Sequence, residues 1–253
     1  MYFLTLFYLY VMYDIIILIS VLKGDLSMLS LVFFLFMLVS LGFLIYFNYH
    51  PHGYRMPIIK TITSLLFIAI CICGYKSVYS DSQYFIFILL ALIFSLIGDV
   101  FLAFNNSRSD EVSKMFVYGL SSFSIAHIFF SIAFSTLTPV LVWHILLFIL
   151  ISVMSILFLN LIKGFDFKGA YKLVVTYSII ISFMFTRALA LTSLIHDNFW
   201  STILVIVGAC LFLLSDLILC FIYFHKKSPS YMTALNLLCY YIGQGLIALS
   251  LTF

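Results

Sequence analysis

Apolar runs of about 20 residues recur along the whole chain, separated by short polar breaks. Each run is long enough to cross a hydrocarbon layer of about 30 Å as a helix, and a segment in lipid has to satisfy its backbone internally. The breaks predict nine spans, over 2–22, 26–47, 57–75, 84–104, 115–136, 140–161, 171–195, 200–224 and 231–252. The first run lacks the basic leading region and small-residue cleavage site of a signal peptide and carries Asp14 in its middle, so it reads as an additional N-terminal helix within 1–25. The expected fold is all-α: one polytopic transmembrane helix bundle, with residues 26–253 forming its main part.

Composition agrees with the pattern: 65% of the 253 residues are hydrophobic and 8% charged. The formal charge of +3 is small and scattered, which argues against a nucleic-acid surface. It reports topology instead. Arg55, Lys60, Arg108, Lys114, Lys163, Lys168, Lys172, Lys226 and Lys227 fall at the even-numbered connections, and Lys23 and Lys76 at odd ones. By the positive-inside rule the even connections are cytoplasmic, with the N-terminus inside and the C-terminus outside. Arg187 stands alone within a span. The five cysteines all fall within spans and show no paired spacing for zinc or a disulfide framework, so they read as packing residues. No metal or cofactor is signalled.

Three acids, Asp14, Asp99 and Asp216, lie inside spans, where a charge costs roughly 2.5–3.5 kcal/mol even on lenient insertion scales. Asp14 has no polar company. The other two share a context: FSLIGDVFLAF at 94–104 and LFLLSDLILCF at 211–221 place the acid at the same position after Gly98 or Ser215. Each is followed 28 residues later by a polar side chain, His127 or Gln244, and the two units are offset by 117 residues. A parallel internal repeat has this form. On the expected orientation Asp99 and Asp216 lie roughly 8 and 12 Å from the cytoplasmic helix ends. Lys60, Asn236, Tyr240 and Tyr241 enter from the same side, and His127 and Gln244 come nearer the middle of the membrane. A polar pocket opening to the cytosol is expected.

The motifs FSLIGDVFLAF, FVYGLSSFSIAHIFF, GACLFLLSDLIL and YYIGQGLIAL, in this order, resemble the YhhN-type lysoplasmalogenase family. The resemblance implies about eight membrane helices, those from residue 26 onward, and hydrolysis of the vinyl ether bond of lysoplasmalogens to a fatty aldehyde and glycerophosphocholine or glycerophosphoethanolamine. It implies Asp99 and Asp216 as the catalytic pair, with Lys60, His127, Asn236, Tyr240, Tyr241 and Gln244 binding substrate. Where family members tend to have Lys-Pro this chain has Lys60 followed by Thr61, and Phe129 and Phe130 stand where a tyrosine is common after His127. The expected partners are the lysophospholipid and the surrounding membrane lipids, in the endoplasmic reticulum of a eukaryote or the cytoplasmic membrane of a bacterium, with a homodimer left open.

Vinyl ether cleavage suits two carboxylates: one delivers a proton to carbon, and the other stays charged while water captures the oxocarbenium ion, as in glycoside hydrolysis. Rival readings use the same acids. A proton-coupled transporter would need a sealed vesicle and a gradient, and a scaffold would use the acids only to join helices. An aspartyl protease of the membrane is disfavoured by Leu96 and Ser215, where its motifs require glycine and tyrosine.

The topology is directly testable. Tags inserted near Arg108, Lys168 and Lys226 should be labelled from the cytosolic side in intact cells, and a tag after Phe253 should not. Cytosolic labelling of that last tag would overturn the nine-span count.

Overall fold

The computed structural model describes residues 26–50, 55–75, 82–104, 112–167, 169–226 and 228–253. The expected helix over 2–22 with Asp14, as well as Lys23, Lys76, Arg108, Lys168 and Lys227, lies outside them. Eight long helices follow in order: α1 (Leu26–Tyr49), α2 (Arg55–Gly74), α3 (Ser82–Ala103), α4 (Lys114–Leu137), α5 (Val142–Leu161), α6 (Tyr171–Ala190), α7 (Phe199–Phe224) and α8 (Tyr231–Leu249). All eight are long and apolar enough to cross a membrane, and the protein is a polytopic helical membrane protein.

Helix ends follow local chemistry. α2 begins ahead of Pro57, because a proline in the first turn lacks only an N–H that would have no intrahelical partner. Ser113 caps α4 by accepting from Phe116 N at 3.1 Å, and Asn198 caps α7 by accepting from Ser201 N at 3.3 Å. α4 stops at Leu137 because Thr138, preceding Pro139, is forced into extended backbone (φ −139°, ψ 139°). Single 3₁₀ turns at Leu191–Leu194 and Ser250–Thr252 tighten the ends of α6 and α8, where the hydropathy pattern predicts continuing helix.

The principal helix contacts run α2–α3–α4–α6–α7–α8 and return from α8 to α2, closing a ring of six. α1 lies on the seam between α2 and α8, and α5 hangs on α6 outside the ring. Aromatic rings fill the middle: Phe212 of α7 lies 4.6 Å from the His127 ring, 5.4 Å from Tyr240 and 6.2 Å from Phe130, centroid to centroid. Apolar side chains cover the outside as well, including Ile58 and Leu65 on α2 and Leu146, Leu150 and Met154 on α5, as a lipid-facing belt requires.

Arg187, the isolated cation of the sequence, is fully buried without a carboxylate partner among the described residues. Its guanidinium donates to Ser135 Oγ, the carbonyls of Thr138 and Pro139, Thr138 Oγ1 and His144 Nδ1. It thereby satisfies the carbonyls left open where α4 ends, a structural use of all five of its donors.

Small residues set the closest helix crossings. A Cβ on Gly208 of α7 would stand 2.8 Å from the Gly243 carbonyl oxygen of α8 and 2.7 Å from Ile247 Cγ1, whereas one on Gly42 meets nothing within 4 Å. Gly208→Ala should therefore push α7 from α8 and cost about 1–3 kcal/mol. Gly42→Ala should be neutral or stabilising by less than about 1 kcal/mol. Thermal unfolding of the two variants in detergent checks the contrast; equal melting temperatures would refute the close crossing.

Candidate functional site

Both membrane acids sit toward the end of the bundle where α3 and α7 finish and α2 and α8 begin. Asp99 is about one turn before Ala103 and Asp216 about two turns before Phe224, while Lys60 and Asn236 lie in the second turns of α2 and α8. The basic residues Arg55, Lys114, Lys163, Lys172 and Lys226 flank this same end. Here the connection between α5 and α6 is stitched to the end of α7 by an antiparallel bridge between Phe165 and His225, with Gly164 at φ +107° making the turn.

Asp99 is 1% exposed and held from three directions. Lys60 Nζ lies 3.2 Å from its Oδ1, and Ser64 Oγ and Tyr240 OH donate to its Oδ2 at 2.6 and 2.7 Å. Tyr241 stands behind this group, 3.1 Å from Ser64 Oγ, and donates to the Lys60 carbonyl at 3.3 Å. A carboxylate with a cation and two hydroxyl donors is compensated for its removal from water.

Asp216 is held differently. Tyr177 OH donates to its Oδ2 at 2.7 Å, and His127 Nε2 lies 3.3 Å from the same oxygen and 2.9 Å from the phenol oxygen. Since the phenol proton goes to the carboxylate, Nε2 meets the phenol oxygen as a donor, and Nδ1 has no hydrogen-bond partner among the described residues. Two donors thus converge on Oδ2, while Oδ1 has no protein partner among the described residues. Any proton on this carboxyl resides on Oδ1.

The sequence pairs each acid with the polar residue 28 positions later, but the structure crosses the partners over. His127, in the hairpin of Asp99, reaches Asp216; Tyr240, in the hairpin of Asp216, reaches Asp99. Gln244 also crosses, donating to Ser95 Oγ at 3.0 Å. Within the hairpins the equivalence of positions is kept. Asn236 donates to the Ser215 carbonyl at 2.7 Å, and a Cβ on Gly119, 117 positions earlier, would lie 3.4 Å from the carbonyl of Gly98, the counterpart of Ser215.

Between the hairpins lies a cavity of about 110 Å³ whose wall includes Lys60, Asp99, Ser215, Asp216, Asn236 and Tyr240. Of the residues singled out in the sequence, Lys60, Asp99, Asp216, Asn236 and Tyr240 are brought together on this wall. His127, Tyr241 and Gln244 are not on it; they touch residues that are, or lie a turn deeper. Ser64 and Tyr177 complete the site without having stood out in the sequence, since a serine or tyrosine in an apolar run is ordinary and only its contact with an acid marks it. Among the described residues no group of three or more His, Cys, Asp or Glu side chains is placed to hold a metal ion.

Comparison with known proteins bears on this arrangement. Over 164 residues the chain is 31% identical to the lysoplasmalogenase TMEM86A of Homo sapiens, an alignment covering 64% of each protein. The chain thus spans somewhat less than two thirds of that relative's length. No solved structure matches it. The model of the YhhN family matches residues 55–251, a stretch containing every residue on the cavity wall, and the chain belongs to the YhhN family.

Proposed function

We propose that the protein is a lysoplasmalogenase-like hydrolase that cleaves the vinyl ether of a lysophospholipid within the cavity between its two hairpins. The observation carrying this reading is the unlike pair of carboxyl groups on one wall, Asp99 with a cation and Asp216 with a free oxygen. The likeness to a named lysoplasmalogenase supports the substrate class.

Asp216, protonated on Oδ1, gives its proton to the vinyl carbon remote from the ether oxygen, and the double-bond electrons form that new C–H bond. The adjoining carbon and the ether oxygen then share the positive charge of an oxocarbenium ion. Asp99 faces this cavity as an anion and stabilises the cation. Water adds to the cationic carbon and returns a proton to Asp216, giving a hemiacetal. Its collapse breaks the bond between that carbon and the glycerol oxygen as the hydroxyl proton passes to that oxygen, releasing a fatty aldehyde and the glycerophospho-base. His127 and Tyr177 act as positioning residues that fix Oδ2 and turn Oδ1 to the substrate. Tyr241 and Gln244 support α8 from behind. Lys60 gives one contact to Asp99 and holds the phosphate with its remaining donors, and Asn236 and Tyr240 flank the head group. The cavity faces the cytosolic half of the membrane on the charge distribution of the loops.

Purified in detergent, the wild-type protein should release aldehyde from lysoplasmalogen and none from the saturated alkyl-ether analogue. Activity absent in detergent but present as flux in sealed vesicles with a proton gradient would overturn the hydrolase in favour of a transporter. Asp216→Asn should fold, because the amide is isosteric and cheaper to bury; Asp99→Asn should be less stable by about 3–5 kcal/mol, because it leaves Lys60 without its counter-charge, and each folded variant should lose at least about a hundredfold in kcat. The double variant should be little worse than either, because the two act as one unit. A folded single variant keeping more than about a tenth of wild-type turnover would sink the two-carboxylate mechanism.

The role of Lys60 is checked separately by steady-state kinetics. Lys60→Met should raise KM by a larger factor than it lowers kcat, the pattern of lost ground-state binding. An unchanged KM would reduce Lys60 to a partner of Asp99.

A further inference from the structure

Asp216 lines a second space as well. On its far side, a slot of about 40 Å³ runs between α4, α5, α6 and α7, walled by Phe116, Leu120, Leu159, Val174, Ile181 and Leu213. Asp216 and Leu219 are the two residues common to this slot and the polar cavity, and Asp216 is the one charged residue on the slot's wall. The two spaces differ in chemistry as the two ends of a single-chain lipid do. One carries a lysine, two carboxylates and an amide; the other is hydrocarbon, relieved by a few hydroxyls and the thiol of Cys220.

Resting on the hydrolase reading, we infer that the slot takes the first few carbons of the unbranched hydrocarbon chain of the lysolipid, the rest running past α5 into the bilayer, with the head group in the polar cavity and the reacting bond beside Asp216. This orientation follows from the shared wall: a molecule reaching from one space to the other passes Asp216 at its polar-to-apolar junction, which in an alkenyl lysolipid is the vinyl ether. It also gives α5 a function. That helix packs chiefly on α6 and presents Leu146, Leu150, Met154 and Leu161 to lipid, yet Ser155 and Leu159 form part of the slot's wall. A wall helix outside the ring, held chiefly by α6, is where a chain in the bilayer can enter sideways without opening the core. The small residues Ser155 and Ser178 keep the slot open.

Ser155→Phe and Ser178→Phe place a ring in the slot from two different helices, and neither serine is hydrogen-bonded to an acid. For an alkenyl lysolipid with a long chain, each should lower kcat/KM at least about tenfold more than for one whose chain ends at the vinyl group, the scale on which a hydrophobic pocket discriminates chain size. Equal losses on both substrates would overturn the inference. Because a ring also disturbs packing, the wild-type protein gives an independent readout that needs no turnover. In a bilayer nanodisc, a saturated alkyl-ether lysophospholipid carrying a diazirine within the first few chain carbons should label residues of α5, α6 and α7 that wall the slot, and lysoplasmalogen should compete. Labelling confined to lipid-facing Leu146 and Leu150, or to Met56 and Ile222 on the polar cavity, would overturn it. If the slot is labelled but no aldehyde forms from lysoplasmalogen, the chain site stands and the hydrolase reading falls.

Discussion

A carboxylate cannot be left alone inside a membrane bundle, and the ion pair between Lys60 and Asp99 is the contact on which the rest of the site depends. The idealised cost of moving such an ion into a low-dielectric interior is of order 20 kcal/mol, and removing one partner from a buried pair costs about 3–5 kcal/mol. Lys60, Ser64 and Tyr240 offset that cost together, which binds α2, α3 and α8 around one side chain. The ring of helices closes at this point, since α8 returns to α2 there. Tyr241, bridging Ser64 and the Lys60 carbonyl, adds a second layer to the same junction.

The second acid is compensated more lightly, and that asymmetry gives the site its chemical character. Asp216 has a phenol and an imidazole on one oxygen and no partner on the other among the described residues, and it stands between a polar cavity and an apolar slot. Two equivalent positions in two similar hairpins thus arrive in unlike surroundings. The cause is the crossing of partners: His127 and Tyr240 each serve the acid of the opposite hairpin, so neither hairpin is a complete site alone. The aromatic cluster around Phe212 holds the hairpins at the spacing that makes this exchange reach.

Much of this was legible in the chain. The hydropathy breaks place the ends of the described helices within a few residues, because in lipid a polar backbone break is tolerated only at the interface. The two acids were visible for a related reason: a charge in an apolar run is costly enough that its presence demands a partner or a purpose. Arg187 shows the limit of that reasoning. By the same rule it stands out as a lone cation within a span, and the structure makes it a clamp on the end of α4, satisfied by carbonyls and hydroxyls that no charge pattern reveals.

The sequence by itself determined the fold class, the helix boundaries, the basic end of the bundle and the residues Lys60, Asp99 and Asp216, because each is a matter of one residue against its solvent. Only the tertiary structure decided who meets whom. Spacing along the chain pairs Asp99 with His127 and Asp216 with Gln244. The folded ring pairs Asp99 with Lys60 and Tyr240, and Asp216 with His127 and Tyr177, because partners are set by which helix faces close on each other across the ring. Ser64 and Tyr177 belong to that second class. A hydroxyl in a membrane helix is cheap, carries no signal in the sequence, and gains its role only from the acid that packing brings to it.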